Sequence, residues 1–283
     1  MVARCSAVAS IRRRRKGSRG TWYAGRRGRD TRRADRGSVG GSAAAGQWVV
    51  VSAEPPKYYR VRTELERMVS ALDEGEAVPP ERALAEQFSV ARETVRQALQ
   101  DLLVEGRLER RGRRTVVSAP KLVQPLSLRS YTEGAKEHGR VPGRILVTFD
   151  DMVGDDLMCD ALGIPAGSSV MHLERVLLAD GVRLGLESTY LAHSRFGTLA
   201  ATFDPQTSLY AAIRAEGVAF ASAEERIETA LPSPREADLL ETTTLMPMLL
   251  LRRRSLDAEG VPIEVVRSLY RGDRVAFQAV LHH

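Results

Sequence analysis

The 283-residue sequence predicts an α+β protein with two domains, because its two halves follow different patterns. Between residues 57 and 118, three amphipathic helical patterns precede two short strand patterns joined by an arginine-rich turn. From residue 126 onward, helical and strand patterns alternate, and one hairpin plan occurs twice. The predicted boundaries are 1–52 for an extension, 53–118 for a helical domain with a strand pair, 119–125 for a linker, and 126–283 for an α/β domain with an antiparallel sheet.

The extension over residues 1–52 is rich in Arg, Gly, Ser and Ala and has no hydrophobic periodicity. Such a segment cannot bury enough apolar surface to offset the entropy lost on ordering, so we expect it to be disordered. Two interpretations stay open. The segment is a basic arm that neutralises DNA phosphates, or it results from a start codon assigned too far upstream. The second is favoured, with translation beginning near Val51.

The net charge of +6 and the isoelectric point near 9.6 come mostly from this extension. Residues 1–46 hold 13 basic and 2 acidic side chains, whereas residues 57–121 hold 13 basic and 11 acidic ones. Any argument for nucleic-acid binding must therefore rest on where the arginines lie. Cys5 and Cys159 have no metal-ligand or disulfide spacing, and no apolar run is long enough to span a bilayer. A cytoplasmic protein without a membrane partner is expected.

Apolar spacing and proline define the first two helices. The first is predicted from about Tyr58 to Leu72, and Gly75 follows it. Pro79 and Pro80 open the second helix, because proline is tolerated in a first helical turn. The residues Ser89, Val90 and Ala91 then form a tight turn.

A third helix is predicted from about Arg92 to Glu105, with Gly106 as its C-terminal glycine. One face carries an apolar stripe, and the other carries Arg92, Glu93, Arg96, Gln97 and Gln100. Guanidinium and amide groups on an outer helix face suit base edges in a major groove. The following segment RLERRGRRTVVSA predicts two strands around a basic turn, which is the wing of a winged helix-turn-helix. This wing is expected near phosphates or the minor groove.

In the second domain, Ser130 and Glu133 have the spacing of a capping box at a helix start. Helices are also predicted over 155–162, 209–217 and 234–240, and strands over 141–148, 169–179, 184–191, 223–230, 248–256 and 262–270. The hairpin around Asp180-Gly181 and the one around Glu259-Gly260 share an order of strand, acidic-Gly turn, strand and tyrosine. Two such hairpins predict one antiparallel sheet.

The pattern PPERxLAxxFxVxRxTVRxALxxLxxEGxLxR resembles the GntR superfamily of bacterial regulators. The downstream half resembles the HutC subfamily with its UTRA effector-binding domain, and the whole is similar to repressors of N-acetylglucosamine utilisation. This resemblance implies a chorismate-lyase-like second domain. It also implies a transcription regulator, specifically a repressor, that binds double-stranded operator DNA as a homodimer and is controlled by a small molecule.

The resemblance also implies which residues contact DNA. Arg82, Arg92 and Gly112 match the family's contact positions, and Thr94, Arg96 and Arg113 lie nearby in the recognition helix and the wing turn. Two departures are evident. Ala91 replaces the usual Ser or Thr, which removes a helix cap worth roughly 1 kcal/mol. The wing turn is one residue shorter than usual, with Arg114 in place of a glycine.

For the effector, the resemblance implies a sugar phosphate such as an amino-sugar 6-phosphate. Matching positions are Ser130, Tyr131, Thr132, Arg175, Glu187, Ser208, Tyr210, Glu264 and Tyr270. Leu177 stands where the family has a second arginine, and Arg183 is a candidate to compensate for it. The alternatives are structural. A strand Arg or Glu often forms a cross-strand ion pair, Ser208 can cap the following helix, and the Tyr270–Arg274 segment can close the sheet.

An enzyme is the second class considered, namely a lyase-like catalyst fused to a DNA-binding domain. The sequence contains no HExxH, CxxC, GxSxG, P-loop or GxGxxG motif, and its five histidines have no ligand-like or triad-like spacing. Glu187 and Glu264 could form an acid–base pair, but carboxylates that bind sugar hydroxyls would look the same. We therefore expect a sensor that needs no cofactor or metal, with a regulator of another ligand class as the alternative.

Overall fold

The computed structural model of the chain describes residues 56–281, so the predicted extension over 1–52 lies outside the described residues. Three helices open the described part: α1 (Lys57–Ser70), α2 (Glu81–Phe88) and α3 (Arg92–Val104). They share one core, which includes Val61 and Leu65 of α1 together with Leu84 and Leu99. The apolar stripes predicted from helical spacing therefore face one another.

The helix ends follow the predicted signals closely. Pro80 is the residue before α2 and not part of its first turn, and Ser89 ends α2 in a left-handed conformation with φ of 52°. Ala91 precedes α3 without any side-chain capping bond, as its methyl group requires. Gly106 follows α3 with φ of +74°, which confirms the predicted C-terminal glycine.

The predicted wing is present as β1 (Leu108–Arg111) paired antiparallel with β2 (Arg114–Val117). Its turn consists of Gly112 and Arg113, and Gly112 adopts a φ of +61° that favours glycine. An isolated bridge between Ala77 and Val116 adds a third chain segment to this small sheet. The wing is thus anchored to the loop that precedes α2.

The second domain is built on a six-stranded antiparallel sheet with the order β4-β5-β6-β9-β8-β7. Its strands are β4 (Pro142–Val153), β5 (Ser169–Ala179), β6 (Val182–Ala192), β7 (Ser222–Ala230), β8 (Met248–Leu256) and β9 (Pro262–Arg271). The two predicted hairpins are β5–β6 and β8–β9, and they join through β6 and β9 at the centre of the sheet. Asp180 and Gly181 both have positive φ, at 50° and 79°, as the predicted tight turn requires.

Six helices accompany this sheet: α4 (Tyr131–Glu137), α5 (Asp156–Leu162), α6 (His193–Phe196), α7 (Leu199–Thr202), α8 (Leu209–Ala215) and α9 (Pro234–Leu239). The predicted capping box of α4 is formed by Ser130 and Glu133. The short helices α6 and α7 were not predicted. Among the described residues, no helix combines the length and the apolar character needed to cross a membrane.

Residues 119–125, predicted as a linker, contain strand β3 (Leu122–Pro125), which pairs in parallel with β10 (Val275–Gln278). Neither strand was predicted. The turn before β10 contacts the first domain, because Arg274 Nη2 lies 2.7 Å from Glu109 Oε2 on β1. Lys121 Nζ also donates to the carbonyl of Gly272 at 2.6 Å. The turn between β9 and β10 therefore connects the wing to the sheet domain.

Candidate nucleic-acid interface and ligand pocket

The start of α2, the start of α3 and the wing meet around one exposed cleft. Five arginines line it: Arg82, Arg92, Arg110, Arg113 and Arg114. Arg92 is the first residue of α3, and Arg96 follows on the same helix face one turn later. Such a concentration of guanidinium groups suits a polyanion, in agreement with the arginine placement expected from the sequence.

Two arginines of this surface, Arg82 and Arg96, form exposed ion pairs within their own helices. Arg82 Nε lies 3.0 Å from Glu86 Oε1, with the Arg82 side chain 80% exposed, and Arg96 pairs with Glu93. Exposed pairs of this kind contribute about 0–1 kcal/mol, so they can be exchanged for DNA phosphates at little cost. Thr94 is half-buried beside them, while Gly112 and Arg113 are exposed at the wing tip. The six predicted DNA contacts remain predictions.

A pocket opens on the inner face of the six-stranded sheet, beside α4 and α8. Eight of the nine predicted effector residues line it: Ser130, Tyr131, Arg175, Glu187, Ser208, Tyr210, Glu264 and Tyr270. The ninth, Thr132, accepts a hydrogen bond from Arg144, another lining residue. The nine predicted residues thus come together from five elements, α4, β5, β6, α8 and β9, although their contact with a ligand remains a prediction.

Several of these residues also have the structural roles considered as alternatives. Ser208 caps α8 by accepting from the amide of Ala211 at 3.3 Å. The Tyr131 hydroxyl donates to the carbonyl of Leu178 at 2.7 Å, which ties α4 to the sheet. Both residues therefore hold the pocket wall in place and also line the cavity.

Arg175 is the most deeply placed cation of the pocket, at 3% exposure. It lies opposite Glu187 in the β5–β6 register, and its Nη2 donates to Glu187 Oε1 at 2.9 Å. Its Nη1 donates to the carbonyl of Thr207 at 3.0 Å. The Nε atom is buried without a hydrogen-bond partner among the described residues. The predicted cross-strand ion pair is present, yet one donor remains for another acceptor.

A second cluster surrounds Glu264, which is only 1% exposed. Its Oε1 accepts from the Tyr210 hydroxyl at 2.5 Å and from Ser255 Oγ at 2.9 Å. Arg253 donates to the same Tyr210 hydroxyl at 3.2 Å and pairs with Glu225 at 3.0 Å. Burial raises the pKa of Glu264 to about 7, against the hydrogen bonds, which lower it. This carboxyl group can therefore donate as well as accept near neutral pH.

Sequence reasoning missed four charged residues of the pocket: Arg129, Arg144, Glu225 and Arg253. Arg129 lies in the loop before α4. The other three lie on strands whose alternation of polar and apolar residues is weak, and only the sheet order shows that they face inward. The suggestion that Arg183 compensates for Leu177 is wrong. Arg183 donates to the carbonyl of Leu239 at 2.6 Å and pairs with Glu241 at 3.0 Å, outside the residues that line the pocket.

The buried Glu264 gives a prediction for stability against pH. Its folded pKa of about 7 lies above the ordinary value of 4.5, so the folded state keeps a proton that the unfolded state loses. This contribution to the free energy of unfolding is complete below pH 4.5 and is lost as the pH rises through 7. The expected loss is about 3 kcal/mol. Denaturant unfolding of the wild type and Glu264→Gln between pH 4.5 and 8 measures this. Parallel curves for the two proteins would contradict it.

Comparison with known families matches both domains. Residues 57–117 match the family described as bacterial regulatory proteins, gntR family, and residues 137–276 match the UTRA domain. The first match spans the three helices and the wing, including all six predicted DNA contacts. The second spans most of the sheet domain and ends within β10.

Similar proteins cover both domains together. The HTH-type transcriptional repressor PhnF of Mycolicibacterium smegmatis is 53% identical over 226 residues, which cover 80% of this chain and 93% of that protein. The HTH-type transcriptional repressor NagR of Bacillus subtilis is 34% identical over 227 residues, with coverages of 78% and 93%. The crystal structure of PhnF from Mycobacterium smegmatis is 54% identical, has a TM-score of 0.59, and covers 78% of this chain and 99% of its own. The chain therefore belongs to the GntR family of bacterial regulatory proteins, with a UTRA domain, and is a transcription regulator rather than an enzyme.

Proposed function

We propose that this regulator is a cytoplasmic repressor that binds a two-fold operator as a homodimer and is released by a phosphate-bearing small molecule. An amino-sugar 6-phosphate is the favoured effector class. Both similar proteins named above are described as repressors, which supports the direction of control. A two-fold operator follows from the geometry of helix-turn-helix dimers, whose recognition helices enter successive major grooves.

The observation that carries the effector class is the polarity of the pocket. Arg144 and Arg175 donate to the carbonyls of Gln206 and Thr207 before α8, whereas Glu264 forms a separate hydrogen-bonded group with Tyr210 and Ser255. Guanidinium groups suit phosphate oxygens, and buried carboxyl and hydroxyl groups suit sugar hydroxyls or an amine. A ligand with an anionic end and a polar, uncharged or cationic end matches this arrangement.

Control of DNA binding requires that the effector bind one conformation better than another. A shift from 1:99 to 99:1 needs about 5.5 kcal/mol of differential binding. The pocket wall includes Phe277 of β10, and Arg274 just before this strand holds Glu109 on the wing. A ligand that moves β10 would therefore move the wing, and with it the fit of the two DNA-binding domains to the operator.

The test uses the full chain and a panel of glucosamine 6-phosphate, N-acetylglucosamine 6-phosphate and their unphosphorylated sugars. We expect one phosphate ester to raise the melting temperature and to release operator DNA, since a ligand that binds the folded state stabilises it. An effect of the unphosphorylated sugars alone would move the effector to another class. Tight ligand binding with unchanged operator affinity would overturn the proposed control.

The Arg175→Ala substitution is expected to weaken binding of the active phosphate ester and its release of operator DNA. The substitution removes a buried cation that faces the pocket, and one charge-assisted hydrogen bond contributes about 1.5–3 kcal/mol. Operator affinity without ligand should stay unchanged, because Arg175 lies outside the DNA-binding domain. Titration calorimetry together with a DNA-binding assay measures both quantities. Equal ligand affinity in mutant and wild type would remove Arg175 from the binding site.

A further inference from the structure

We propose that Arg144 forms, together with Arg175, a two-arginine clamp that selects a dianionic group of the effector over a monoanionic one. This inference rests on the proposed function, because it takes the effector to carry a phosphate. It adds a residue that sequence reasoning did not identify, and it gives that residue a role in specificity.

Arg144 differs from the other arginines of the pocket in its charge balance. Three of the four pocket arginines pair with a carboxylate: Arg129 with Glu137, Arg175 with Glu187 and Arg253 with Glu225. Arg144 is half-buried, and among residues 56–281 it has no carboxylate within ion-pair distance. Its partners are neutral oxygens, the hydroxyl of Thr132 and the carbonyl of Gln206 at 3.5 Å. A bound anion would supply the missing opposite charge.

Two buried hydrogen-bond donors without partners among the described residues also support an anion site beside Arg144 and Arg175. The Nε atoms of Arg144 and Arg175 are both buried and have no hydrogen-bond partner in the described part of the chain. A buried donor without an acceptor costs free energy, so two of them beside one pocket favour an acceptor that reaches both. Burial and the neighbouring charge of Arg175 lower the pKa of Arg144, against the Glu187 carboxylate, which raises it.

Strand pairing explains why the two guanidinium groups lie together. Arg144 on β4 and Arg175 on β5 lie on adjacent antiparallel strands, two register positions apart. Both reach the loop before α8, where Arg144 donates to the carbonyl of Gln206 and Arg175 to the carbonyl of Thr207. Two planar forks held at one loop can each offer hydrogen bonds to the same phosphate group, and the higher charge of a dianion strengthens each of these charge-assisted bonds relative to a monoanion.

These loop bonds allow a purely structural role for Arg144. The test must therefore separate that role from binding of the phosphate group. Titration calorimetry on the full chain compares glucosamine 6-phosphate, a dianion, with glucosamine 6-sulfate, a monoanion of similar shape. Wild type is expected to prefer the phosphate ester. Arg144→Gln should weaken phosphate binding about tenfold to a hundredfold, the loss expected for one charge-assisted hydrogen bond, and should remove most of the preference over sulfate. Arg144→Lys keeps the charge without the planar guanidinium group, so its affinity for the phosphate ester should lie between those of the wild type and Arg144→Gln.

Arg183→Gln is the matched control, because Arg183 belongs to the same sheet but lies outside the lining residues and should leave both affinities unchanged. Melting temperatures of the ligand-free variants show whether each one is folded. A folded Arg144→Gln or Arg144→Lys protein with wild-type affinity and preference would overturn the clamp. So would an equal loss for both esters, since that is the result of a displaced loop. If wild type binds neither ester, the proposed effector class fails, and the clamp fails with it.

Discussion

Arg92→Ala is expected to abolish the preference of the protein for its operator over other DNA while leaving the ligand pocket intact. Arg92 opens the recognition helix α3, lies exposed, and lines the arginine-rich cleft between α2 and the wing. An arginine that reads a base edge contributes about 1–3 kcal/mol of discrimination. The proposed homodimer would present two copies, so the expected loss is about 2–6 kcal/mol.

The measurement is operator binding against binding to a DNA of unrelated sequence, each at several salt concentrations. Arg226→Ala is a suitable control, because it removes an exposed arginine from β7 in the other domain. Loss of operator affinity without loss of nonspecific affinity would indicate a base contact. Equal losses on both DNAs, with a shallower salt dependence, would instead make Arg92 a phosphate contact. Unchanged operator affinity would exclude it from the interface.

The fold could be predicted wherever local chemistry decides the structure. Gly106 and Ser130 mark helix ends through short-range rules, and the three helices of the first domain follow from apolar spacing alone. The turn at Asp180-Gly181 follows from its need for positive φ at both residues. Each of these signals lies within about five residues of the feature that it specifies, so one sequence is enough to detect it.

Contacts between distant segments could not be predicted in the same way. Strands β3 and β10 are about 150 residues apart, are only four residues long, and pair in parallel, which leaves no hairpin signal. The pocket residues Arg144 and Arg253 were missed for a related reason. A strand arginine usually faces solvent, and only the order of the strands in the sheet turns these two inward.

Leu177 shows why the absence of the family's second arginine from β5 does not by itself determine the charge of the pocket. It is fully buried among apolar residues that include Leu122 and Tyr270, so it belongs to the core beneath the pocket. Arg144 lies directly opposite Leu177 in the β4–β5 register, on the neighbouring strand. A guanidinium group is therefore present on the neighbouring strand, a placement that a linear motif does not reveal.

The last prediction concerns the contact between the two domains, at Gly106. A Cβ at this position would overlap the backbone carbonyl of Asp273, and its φ of +74° disfavours any L side chain. Gly106→Ala should therefore destabilise the protein by about 1–2 kcal/mol through the backbone and about 1–3 kcal/mol through overpacking. Since Asp273 precedes Arg274, the partner of Glu109 on the wing, relief of the overlap should also weaken this ion pair. We expect the effector to release operator DNA less effectively from this variant.

Gly217→Ala separates the two contributions. Gly217 also follows a helix with positive φ, at +81°, but a Cβ there would meet nothing within 4 Å among the described residues. Its cost in denaturant unfolding measures the backbone strain alone, and the extra cost of Gly106→Ala measures the contact with Asp273. Equal destabilisation by the two substitutions would mean that the helix end and the C-terminal turn are not packed in solution. Ligand binding in the pocket would then have to reach the wing through other contacts, because the ion pair of Arg274 with Glu109 alone would not fix the wing against the sheet domain.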